Sequence, residues 1–174
     1  MLYLKCGDIM KKVVKSIIIS LYVLITIIVT YCLLSYNKYN IAEFKNKYLL
    51  ITENKEYNYK KSDLLIIKKT NNYQVGDAVF YYDIFSSPTV KVKIDKIKDI
   101  SKTASDIYTY TLENNENYSS DSFLGITKDT KAYTILGTIY SILTSKIGYL
   151  IIIILPILTA FVYEIYAIIK EIKK

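Results

Sequence analysis

The residues able to do chemistry in this chain are few in kind. Its 174 residues include no histidine and no tryptophan. All 23 basic residues are lysines. Without an imidazole, a general base must be a carboxylate or a lysine of lowered pKa. Histidine metal ligation and bidentate arginine recognition of phosphate or carboxylate are excluded. Cys6 precedes the first apolar run and Cys32 lies inside it. Neither is placed for a disulfide in the middle of the chain, and neither has a histidine to activate it. Both read as inert, which excludes a membrane-anchored thiol peptidase. No metal and no cofactor is expected.

These residues must be positioned by three regions of different composition. Ser16 to Tyr36 reads SIIISLYVLITIIVTYCLLSY without a charge, about the twenty residues needed to cross a bilayer. Lys11, Lys12 and Lys15 stand before it and hold the N-terminus on the cytoplasmic side by the positive-inside rule. The following SYNKYNIAEF lacks a small-residue cleavage site, so an uncleaved anchor is expected. Translation from Met10 is an alternative to Met1. Ile147 to Ile169, IGYLIIIILPILTAFVYEIYAII, is the second span. Its Pro156 implies a kink whose freed carbonyl finds another partner, and its Glu164 lies near enough to the KEIKK end to reach the interface. Two spans with lysine-rich outer flanks put residues 1–15 and 170–174 in the cytoplasm and 37–146 outside.

Net charge is +7, but the middle region is nearly balanced, with sixteen lysines against thirteen acids. The dense positive charge flanks the spans, so no nucleic-acid partner is expected. The 19 tyrosines, with abundant Lys, Ile and Asn, look like the codon bias of an AT-rich bacterial genome. Between the spans, YLLIT, DLLIIKK, DAVFYYD, TVKVKIDKI and IYTYTL are short, β-branched or aromatic, and separated by turn residues. Val90, Val92 and Ile94 share one face of their strand, and Lys91 and Lys93 take the other. No helical periodicity of useful length appears here. The fold class expected is a mainly β extracytoplasmic domain between two transmembrane α-helices. Ser62-Asp63 and Gly76-Asp77 repeat one pattern, a turn residue and an Asp leading into a strand.

In chain order these features resemble type I signal peptidases of the endoplasmic-reticulum-like and Gram-positive branch. That family has an anchor, a Ser-Gly-Ser-Met-Glu-Pro nucleophile segment, two Gly-Asp strands, a His-Arg or Lys-Arg strand, an Asp-containing loop and often a second span. Ser62-Asp63 and VGDAVFYYD correspond to the Gly-Asp strands, and Asn114 to Asp121 to the loop. LGTIYSILTSKIGYLIIIILPIL corresponds to the closing strand and second anchor.

The resemblance implies a signal-peptidase-like β fold, and it also locates where the catalytic residues have gone. Counting back from Ser62-Asp63, Asn54 stands at the nucleophile and Glu56 is retained. Val92 stands at the general base, and Asp121 at the acid that orients that base. An amide cannot become an attacking oxygen, so the resemblance implies a degenerate member. Such a protein would bind signal peptides of exported precursors or assist an active signal peptidase. Two alternatives stay open: cleavage through Thr52 with Lys91 or Lys93 as base, and a two-span structural membrane protein unrelated to peptidases.

Overall fold

The computed structural model describes residues 2–39, 41–84, 90–102 and 108–173, with only the backbone at 2–9 and 11. Thr89 and Ile107, which begin two of the expected strands, lie outside the described residues, as do Lys174 and the Cys6 side chain. The chain divides into two compact units. One holds the segments 1–34 and 142–174, and the other runs from Ser35 to Ser141.

In the terminal unit, α1 (Leu2–Leu34) is one helix that continues beyond the apolar run on its N-terminal side. The C-terminal helical run comprises α3 (Lys146–Tyr149), a π turn (Leu150–Ile154) and α4 (Leu155–Ile172). Two stretches, Lys12–Leu34 and Lys146–Ile172, are long and apolar enough to cross a membrane. The π turn sits immediately before Pro156, where the ring removes the amide that would bond the carbonyl four residues back. The Tyr22 hydroxyl of α1 lies 3.2 Å from the Ile152 carbonyl and 2.9 Å from that of Ile153, and donates to them. A donor from α1 thus reaches the carbonyl that Pro156 leaves without its amide. A second polar link, Thr30 Oγ1 to the Tyr149 hydroxyl at 2.9 Å, joins the same two helices.

The central unit carries two antiparallel sheets. One has the order β1-β2-β3-β9, from Ala42–Phe44, Lys47–Ile51, Leu64–Lys68 and Lys131–Tyr133. The other has the order β7-β6-β5-β4-β8, from Asn117–Ser119, Tyr108–Leu112, Lys91–Lys102, Ala78–Asp83 and Phe123–Ile126. All five segments expected as strands are strands. A β-rich region between two apolar helices is thus present.

One expectation fails. The region is not free of helix, because α2 (Thr134–Thr144) follows β9. The segment read as a closing strand is this helix, and the strand that closes the first sheet is the three residues before it. Two contacts explain why the helix sits there. Thr134 Oγ1 donates to Asp63 Oδ1 at 2.6 Å. Gly137 passes so close to the Ser62 carbonyl and the Leu64 amide that a Cβ would collide with both.

Burial follows the pleat. Leu65, Ile67, Phe80, Tyr82 and Leu124 form one cluster, with Val92 and Ile94 packed against it from β5. Val79, Tyr81, Ile97, Tyr110 and Leu112 belong to a second cluster. Alternate residues of β4 therefore serve different cores. Ile97 and Ile100 both reach the second cluster although an odd spacing should separate them. A bulge between Ile97 and Asp99 restores the shared face.

Candidate functional site

Two turns of the same construction launch the strands that frame the site. In Lys60–Asp63, Ser62 has φ 67°. The Asp63 carboxylate accepts the Lys60 amide at 2.8 Å, and the Asp63 amide donates to the Lys60 carbonyl at 3.2 Å. In Gln74–Asp77, Gly76 has φ 89°. The Asp77 carboxylate accepts the Gln74 amide at 3.0 Å, and the Asp77 amide donates to the Gln74 carbonyl at 3.1 Å. Each is a four-residue turn that needs positive φ at its third position. The repeat seen in the sequence is one piece of local geometry used twice. The environments differ: Asp63 is buried and also bonds Thr134, whereas Asp77 pairs with Lys128 at 2.8 Å.

Between the sheets lies a cavity of about 770 Å³. One wall is residues 49–56, the end of β2 and the segment after it. The other is residues 90–94 of β5 and its approach, with Leu65 and Phe80 also lining the space. Asn54 and Val92 both line this cavity, as do Thr52, Lys91 and Lys93. Asp121 does not. It is exposed in a short 3-10 turn, Ser120–Ser122, ahead of β8.

The two lysines differ from Val92 in direction, as alternation requires. Val92 packs on the cluster built around Phe80 and Tyr82. Lys93 Nζ instead sits 2.6 Å from Asp83 Oδ2. That carboxylate is only 2% exposed. Its hydrogen bond raises the Lys93 pKa above the ordinary lysine value, outweighing burial. A lysine held protonated in this way is the reverse of what a general base requires. Thr52 is also committed: its hydroxyl donates to the Lys60 carbonyl and accepts the Asp63 amide at 2.9 Å. Both partners are backbone groups of the adjoining turn, so this threonine closes the turn.

Glu56 is the polar side chain of the cavity that reaches across it to the backbone of β5. Its Oε1 accepts the backbone amide of Ile94 at 3.1 Å, linking the segment after β2 to the edge of β5. Glu56 and Tyr59 exchange backbone hydrogen bonds at 3.3 and 3.0 Å. Tyr57 between them is at φ 55°. A bulky residue in the left-handed region persists only where its surroundings hold it, so the direction of Glu56 is fixed by a tight turn. The sequence offered no sign of this contact, nor of the Asp83–Lys93 pair, because each depends on how separate strands are aligned.

Behind β4, the Tyr81 and Tyr118 rings meet at a tilt of 57° with centroids 4.8 Å apart. Tyr118 donates to Glu116 at 2.7 Å, and the Asn114 side-chain amide reaches the same carboxylate at 2.8 Å. Burial, with the charges of Asp95, Asp83 and Glu116, pushes the Tyr81 phenol up to about 12. Tyr81 shares its face of the sheet with Lys93, its partner on β5, and lies opposite the face of Val92.

Compared with models of known families, with curated proteins and with solved structures, the chain matches none.

Proposed function

We propose that the central unit is a signal-peptidase-like peptide-binding module without a cutting pair, held at the outer face of the cell membrane by its two apolar helices. One observation carries the reading. The segment 52–56 and the strand through Val92, which the resemblance assigns to nucleophile and base, meet at a single groove. Its walls at those positions are an amide and a hydrocarbon. Among the described residues the β5 wall is also an open strand edge, because β6 pairs with β5 only from Ile97 onward. An extended peptide can add to such an edge through backbone bonds, which do not depend on a nucleophile. The occupants this favours are signal-peptide regions of exported precursors, alone or presented to an active peptidase.

Purified protein in nanodiscs should crosslink an extended signal-peptide substrate through a photoreactive residue at position 54 and should not cleave it. Asn54→Ser alone should add no cleavage, because the hydroxyl still lacks a base. Asn54→Ser with Val92→Lys or Val92→His is the minimal repair. Wild-type cleavage that Thr52→Val abolishes would overturn this reading in favour of an active Thr52–lysine pair. Failure to crosslink any peptide would favour a structural membrane protein.

The lysine flanks support a topology with both termini in the cytoplasm. A cysteine introduced at Asn72 should react with an impermeant thiol reagent in intact cells, and one beside Lys173 should not. The reverse pattern would exclude any role in handling exported chains.

A further inference from the structure

The open edge of β5 is partly occupied by the protein itself. Among the described residues, Lys91 to Lys96 of this strand pair with β4 on one side, and no strand pairs with the other. In an antiparallel ladder, successive residues direct their amide and carbonyl alternately toward and away from the partner. Ile94 sends its amide away from β4, to Glu56. Val92, two residues back, therefore presents its amide and carbonyl on the same open side. Lys96, two residues on, does likewise: its carbonyl accepts Glu113 N at 3.0 Å. A strand laid along this edge would pair with Val92 and Ile94, and of the amides it needs, that of Ile94 is already taken.

We propose that Glu56 is an autoinhibitory contact: its carboxylate caps the Ile94 amide, and an extended peptide entering the groove must displace it. This rests on the peptide-binding reading above. An unpaired edge lined by Val92 and Ile94 invites association with any extended chain. A charged cap on one of its amides raises the threshold for entry, because hydrogen bonds to ionised acceptors are stronger than the neutral backbone bond that would replace them. The turn at Tyr57 aims the carboxylate at the edge, so the cap returns when the peptide leaves.

The test uses full-length protein in nanodiscs, as wild type, Glu56→Gln and Glu56→Ala. Two readouts are taken: hydrogen exchange at the Ile94 amide without peptide, and anisotropy of a fluorescein-labelled peptide of alternating alanine and threonine. Glu56→Ala should speed Ile94 exchange and tighten peptide binding, each by about tenfold. Glu56→Gln keeps the shape and one acceptor oxygen, so its changes should be smaller and in the same direction. Unchanged Ile94 exchange in Glu56→Ala would overturn the cap itself. Faster exchange with equal or weaker binding would overturn the inhibition and leave the peptide-binding reading intact. Peptide bound by none of the three proteins would overturn both.

Discussion

Raising the pH should unfold the central unit over a narrow alkaline range, because its tyrosines are structural. Tyr73, Tyr81 and Tyr82 are 7%, 3% and 8% exposed. Burial, as the largest cause, pushes each phenol from the ordinary 10 up to about 12. Tyr73 lies edge-on to Phe123 at 5.1 Å and to Tyr110 at 5.7 Å. The Tyr82 hydroxyl accepts the Asn37 side-chain amide at 2.9 Å. Below pH 10 both folded and unfolded chains keep these protons, and stability does not depend on them. Between 10 and 12 the unfolded chain ionises and the folded one does not, so stability falls as pH rises. A hundredfold difference in proton affinity is worth about 2.7 kcal/mol per phenol, or about 8 kcal/mol for three. That is comparable to the whole stability of an ordinary domain, roughly 5–15 kcal/mol. Lys93, whose pKa is raised by Asp83, acts in the same direction: its contribution is complete below the ordinary lysine value and is lost above it.

Phenolate absorbance and near-ultraviolet circular dichroism, followed together, should show one steep transition between pH 10 and 12. Tyr81→Phe should flatten it by about a third. If all the tyrosines ionise smoothly near pH 10 while the near-ultraviolet signal persists to pH 12, the phenols are not held by burial and the reasoning fails.

Two further outcomes follow from local geometry. No atom would contact a Cβ at Gly76, so Gly76→Ser isolates the cost of positive φ. It should lose about 1 kcal/mol, or roughly 4–8 °C in Tm. Ser62→Gly in the equivalent turn should be neutral to slightly stabilising, since relief of strain opposes the greater entropy of an unfolded glycine. An unchanged Tm for Gly76→Ser would refute the shared turn. Tyr22→Phe removes the donor to the carbonyls before Pro156. It should weaken association of the two apolar helices by about 0.6–2 kcal/mol, measured by steric trapping in bicelles. No change would mean that another donor fills the place.

What the sequence made legible was what the chain settles locally. The positions of β2 to β6 followed from short β-branched and aromatic runs, whereas the three- and four-residue strands β1, β7, β8 and β9 were not foreseen. The paired turns followed from a turn residue and an Asp ahead of each strand, although nothing in the sequence showed that Ser62 would take the positive φ that suits Gly76. The kink partner at Pro156 was foreseeable as a need, though nothing identified Tyr22 as the donor. The misread helix shows the limit. TIYSIL is β-branched enough to pass for a strand, and it becomes helical where Thr134 bonds Asp63 and Gly137 fits against Ser62–Leu64. Those contacts join residues more than seventy positions apart.

The candidate site divides along the same line. Alternation alone put Val92, and not its lysine neighbours, on the apolar face of its strand, and the structure packs that face on Phe80 and Tyr82. Alternation could not say that Lys93 would be committed to a buried carboxylate, because Asp83 and Lys93 meet only through the register of β4 on β5. Nor could it separate Asp121 from the groove, since that depends on where β8 enters the sheet. Resemblance supplied a list of positions, and local chemistry judged Asn54 and Val92 unfit for catalysis. Resemblance had marked Glu56 as retained, but only the pairing of strands showed its carboxylate on the Ile94 amide.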